Sequence, residues 1–166
     1  MPLESPLMKF DVLERVSSKE AIEDGAWMRV NAPGTSNPLY RDFKAEDPKE
    51  PVRIRVRSIR SEAYQAHAAN EERKAFNAAK DLTGQKQRDA IVAVTKKRRV
   101  LDFAVLVTEV ENVSKGVDGP VKPSHDDLIR IGSASESGWL VDQVFVFARD
   151  DENFGPLESP NGSSGD

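Results

Sequence analysis

Cysteine is absent from the 166 residues, and only two histidines, His67 and His125, are present. Without thiols there is no disulfide framework, thiolate metal site, cysteine nucleophile or iron–sulfur cluster, and two histidines are too few for the usual zinc or non-haem iron ligand sets. Aromatic residues are scarce at 7%, and apolar residues reach 38%, below the ~45–50% of an average domain, so only a thin core can be buried. No run approaches the ~18 apolar residues that span a bilayer, and Met1–Phe10 lacks the basic start and apolar stretch of a signal peptide. The expectation is a soluble cytoplasmic protein. Internal repeats are lacking too, and the length suits one domain with tails.

Charge, by contrast, is abundant at 31% and unevenly spread. Residues 1–50 carry 7 basic against 10 acidic side chains, residues 51–100 carry 13 against 5, and residues 101–166 carry 4 against 13. A basic middle and an acidic end suit contacts between the two blocks, within one chain or between copies, or else a nucleic-acid surface in the middle.

Periodicity predicts a mainly helical α+β domain over residues 25–155, with a weakly ordered lead-in (1–24) and a flexible acidic, Gly/Ser-rich tail (156–166). Ala26–Val30 reads as a strand, residues 31–38 as a turn, and Leu39, Tyr40 and Phe43 as a return strand. Val52–Arg57 alternates apolar and basic residues without exception, so Val52, Ile54 and Val56 should face a core and Arg53, Arg55 and Arg57 should face outward. Ser58 or Ser61 can cap an alanine-rich helix that runs from about Ser61 to Lys80, and Gly84 is expected to close it. Residues 85–114 contain neither glycine nor proline. Leu101, Phe103, Val105 and Val107 suit a strand as well as a helix, and length favours the helix. Ser124 caps a short helix closed by Gly132, and Trp139–Arg149 forms the last helix, with Leu140, Val144 and Phe147 in one stripe.

None of this names a catalyst or a cofactor site. Ser124, His125 and Asp126 have the residue types of a triad but are adjacent in sequence, where a cap is the stronger reading. Asp126–Asp127 and Asp150–Glu152 suit a helix start and an acidic tail better than a metal. Glycine-rich phosphate loops are missing. Lys96–Arg99 is the sharpest basic run, but no stacking aromatics are interleaved with it.

The order of the segments is more informative. Asp24–Val30, a Pro-Gly turn, Pro51–Val56, the alanine-rich helix, a long helix, Asp118–Ser124, a short helix, Trp139–Val144 and Asp150–Phe154 together resemble the tail assembly chaperones of long-tailed bacteriophages over residues 20–155. The matching positions are Gly25, Trp27, Arg53, Arg55, Gly119, Pro120, Trp139, Val144, Asn153 and Phe154. One departure is plain: the family's tryptophan in the turn after the long helix has no counterpart in Glu109–Val113. The resemblance implies a non-enzymatic protein without cofactor. It would bind the tape measure protein in the host bacterial cytoplasm, keep it soluble, recruit tail tube subunits and be absent from the mature virion. Leu101, Val105, Val144 and Phe147 are the candidate partner contacts, and self-association is a further expectation. The alternatives are a structural subunit of the tail or head–tail connector, and a nucleic-acid-binding regulator using residues 96–99.

Overall fold

The computed structural model describes residues 18–45, 50–113 and 120–155. In chain order they form α1 (Lys19–Asp24), β1 (Ala26–Arg29), β2 (Arg53–Val56), α2 (Glu62–Ala79), α3 (Gly84–Leu106), β3 (Val107–Glu111), β4 (Pro120–Val121), α4 (His125–Ser133) and α5 (Gly138–Arg149). The strands make one antiparallel sheet in the order β1-β2-β3-β4. The class is therefore mainly α with a small sheet.

Local chemistry explains the helix starts. Ser18, Ser61 and Ser124 each accept a hydrogen bond from the backbone N–H three residues on, at 3.1–3.2 Å, which satisfies a donor that a helix start leaves unpaired. The Glu23 carboxylate accepts a further one from Glu62 N at 2.9 Å, tying α1 to the start of α2. Between α1 and β1, Gly25 has φ +105°, and an added Cβ would lie 2.9 Å from the Val56 carbonyl, so glycine is required by both conformation and space.

β2 follows its alternation: Val52, Ile54 and Val56 are buried, while Arg53, Arg55 and Arg57 line the opposite face. Met28, Ile54, Val56 and Val107 meet Phe103 and Leu106 of α3, Leu128 of α4, and Leu140, Val141, Val144 and Ala148 of α5 in one cluster. The helices cover one face of the sheet. Gln143 fixes α5 against the strand layer: its amide accepts from Asn31 N at 3.1 Å and donates to Asn31 O at 2.8 Å.

Several expectations change. α3 stops at Leu106 and the chain continues as β3, so the helix predicted through residue 114 is helix and then strand. The cause is a bulge: Arg55 pairs with Glu109 but Val56 with Val107, leaving Thr108 as the extra residue, with its hydroxyl on Asp24 O and Arg55 O. Val107 and Val110 then both turn toward the core. Phe103, Leu106, Val107 and Val110 thus keep helical spacing across a helix–strand junction, which is why periodicity could not separate the two.

Leu39–Phe43 is not a strand. Leu39 lies between Val30 and Val52, joined to each by one backbone hydrogen bond, before Arg41–Phe43 turns with Asp42 and Phe43 at positive φ. Gly84 opens α3 at φ +62° instead of closing α2. Gly132 lies within α4, where a Cβ would sit 3.1 Å from the Phe103 ring and 3.2 Å from Val100, so it marks a helix crossing and not a cap. Residues 18–24, read as lead-in, are mostly helix, and Asp151–Phe154 turns back so that Phe154 is buried. Residues 1–17 and the tail from 156 lie outside the described residues.

Candidate partner-binding surfaces

The first group of resemblance positions converges on the outer face of the sheet. Trp27 stands beside Arg55 in register, the Arg53 guanidinium lies 5.1 Å from the Trp27 ring, and Arg55 Nε donates to Gly25 O at 3.0 Å. Opposite, Glu111 accepts from Arg53 at 2.5 Å, and Glu109 lies 3.6 Å from Arg55. Two of the three arginines of the basic row read from sequence, Arg53 and Arg55, therefore belong to a cross-strand ladder of paired charges, whereas the Arg57 Nε is buried without a partner. Pro120 sits at the sheet edge in β4, where its missing N–H costs no ladder bond. Gly119 lies outside the described residues.

Of the second group, Asn153 and Phe154 gather at the C-terminal end of α5. Phe154 packs edge-on to Phe147 with centroids 5.7 Å apart, Asn153 Nδ2 donates to Phe147 O at 3.0 Å, and Ser18 N donates to Phe154 O at 3.1 Å. Trp139, at the other end of α5, packs edge-on to Phe43 at 6.2 Å. Trp139, Phe147 and Asn153 line a groove of about 510 Å³ between α5 and the turn at Pro33–Gly34. The two groups do not meet. Val144 has no exposed surface and cannot touch a partner; it is core. Leu101, Val105 and Phe147 are half-buried.

A polar cluster at the base of the α2–α3 pair went unnoticed in the sequence. Asp102, 6% exposed, accepts from the Tyr64 hydroxyl at 3.3 Å, lies 2.8 Å from His67 Nε2 and stands 3.5 Å from Arg98 Nε. Burial, reinforced by the Asp102 charge, raises the Tyr64 phenol above its usual value. His67 is thus a half-buried partner of a carboxylate. The available signal was the spacing of 64/67 and 98/102, which puts each pair on one helix face, but only the hairpin brings the faces together.

Beyond this cluster α2 and α3 form an arm. Ala79 and Glu71 are the buried residues of α2, and those of α3 begin at Asp102. Large apolar side chains stay exposed along it: Phe76 at 69%, Val92 at 54% and Ile91 at 48%. Lys96–Arg99 lies on α3, on a different layer from Arg53, Arg55 and Arg57. Arg98 is held by Glu72 and Asp102, and Arg99 pairs with Asp142 of α5.

Among the described residues, no group of three or more His, Asp or Glu side chains is placed to hold a metal, and no helix is long and apolar enough to cross a membrane. No family model, curated protein or solved structure matches the chain.

Proposed function

We propose that this protein is a non-enzymatic helix-binding chaperone of the phage tail assembly type, which holds the tape measure protein in the host bacterial cytoplasm and promotes growth of the tail tube. Support comes from the order of sequence segments and, on the structural side, from one observation. Three of the four exposed large apolar side chains among the described residues, Phe76, Ile91 and Val92, sit on the α2–α3 arm, outside the core. Exposed apolar surface concentrated on a helical hairpin suits contact with another amphipathic helix. The protein-binding reading is favoured over a nucleic-acid regulator because Arg98 and Arg99 are already tied to carboxylates, so that only Lys96 and Lys97 of that run are left for phosphates.

Co-expression with the cognate tape measure protein tests the proposal. The two should co-purify, with more of the tape measure protein in the soluble fraction. A variant carrying Phe76→Ser, Ile91→Ser and Val92→Ser should fold but lose the partner. Absence of association by the wild-type protein at both low and moderate salt overturns the reading, and recovery of the protein in purified particles favours a structural tail subunit.

A further inference from the structure

A second groove, of about 680 Å³, runs between α3 and α5 beside the Tyr64–Asp102 cluster. Its charges are unequally committed. The Asp102 and Asp142 carboxylates that line it are neutralised by Arg98 and Arg99, whereas Lys96 and Arg149 have no salt-bridge partner among the described residues. Arg149 is nevertheless not loose: its guanidinium lies 5.5 Å from the Phe145 ring, and that of Arg99 lies 5.6 Å from the same ring. Cation–ring contact orients a guanidinium while leaving its N–H groups available. Val146, 69% exposed, adds an apolar side chain to the same lining.

From this we infer that the α3–α5 groove is a docking site for an acidic amphipathic helix of a partner protein, whose carboxylates meet Lys96 and Arg149 and whose apolar edge covers Phe145 and Val146. Charge complementarity selects the occupant: the unbalanced charge is positive and sits beside apolar surface. A nucleic acid fits less well, since its closely spaced phosphates would meet Asp142 and Asp102 along with only two uncommitted cations. The inference deepens the helix-binding reading by naming a second contact surface and the charge of its partner, and it rests on that reading only for the kind of partner.

The test uses a synthetic probe, so that it does not depend on the tape measure protein. A fluorescent peptide of about 18 residues, five helical turns, carries a leucine stripe flanked by glutamates; a second has lysines in their place, and an oligonucleotide serves as the third probe. Fluorescence anisotropy should show binding of the glutamate peptide, weakening with salt, and little binding of the lysine peptide. The Lys96→Glu/Arg149→Glu variant should bind the glutamate peptide about tenfold more weakly, as expected for reversing two exposed charge contacts. Val146→Ser, at an exposed position that tolerates the change, should weaken it at every salt concentration. Thermal unfolding of both variants separates lost binding from lost fold. Equal binding of the two peptides, unchanged binding by both folded variants, no binding of the glutamate peptide, or tighter binding of the oligonucleotide through Lys96 and Arg149 would each overturn the inference. If the tape measure protein fails to bind while the glutamate peptide binds as described, the groove stands and the tail assembly reading falls.

Discussion

Asp102 is the residue on which most local order depends. Its buried carboxylate serves Tyr64, His67 and Arg98 at once, so Asp102→Ala removes three polar contacts, leaves Tyr64 and His67 without this partner and should cost about 3 kcal/mol, measured by denaturant unfolding. Tyr64 reports on the same site. Because burial and then the Asp102 charge favour the neutral phenol, the folded-state pKa lies above the unfolded value of 10.0. The resulting stability is fully present below pH 10 and is lost as pH rises through the folded value. The difference between the alkaline ultraviolet titrations of wild type and Tyr64→Phe should show a tyrosinate midpoint above 10. In Asp102→Asn the upward shift should shrink without vanishing, since burial is the larger cause. A midpoint at the ordinary phenol value in the wild-type protein would contradict the buried cluster.

At the scale of elements, the α2–α3 arm is built differently from the rest. The side chains of the pair that are at least half-buried include Ala68, Ala75, Ala79 and Ala90, and the two helices are stapled by Gln87 donating to Ala79 O and by Arg98 near Glu72. Such an interface buries little apolar area, so local opening should require less free energy than opening of the core. Native-state hydrogen exchange should therefore be faster for amides of residues 88–95 than for 100–106 of the same helix. Uniform protection along α3 would show that the arm is as stable as the core. The first helix was legible in sequence from its serine cap and its alanines and the second from a stretch without glycine or proline, although Gly84, read as closing the first, opens the second. The junction at Leu106–Val107 was not legible, because the Thr108 bulge lets a strand carry the spacing of a helix.

For the whole molecule, one thin core joins the sheet to α3, α4 and α5, and Phe103 is part of it. Phe103 is 1% exposed and packs against Gly132 of α4, so Phe103→Ala should cost about 3–5 kcal/mol. Phe76→Ala, at a side chain 69% exposed, should change stability by no more than about 0.5 kcal/mol. Thermal or denaturant unfolding of the two variants compares them directly. Similar losses in both would mean that the arm's apolar residues belong to the fold and are not held for a partner.

Sequence alone determined what depends on near neighbours. The alternation of β2, the serine caps at 61 and 124, the alanine-rich helix and the final helix are each set by residues within a few positions of one another. It also marked Trp27, Arg53 and Arg55, and Trp139, Asn153 and Phe154, although not that they form two separate clusters. Tertiary structure decided everything that depends on which surfaces meet. Val144, on an apolar stripe open to either reading, became core because the sheet lies against that side of α5, while Val146 two residues on was left exposed. Likewise Arg53 and Arg55 became a ladder because Glu111 and Glu109 arrive from a strand more than fifty residues away. Hydrophobic pattern states that a face must be covered, but which segment covers it is fixed only when the chain closes those distant contacts.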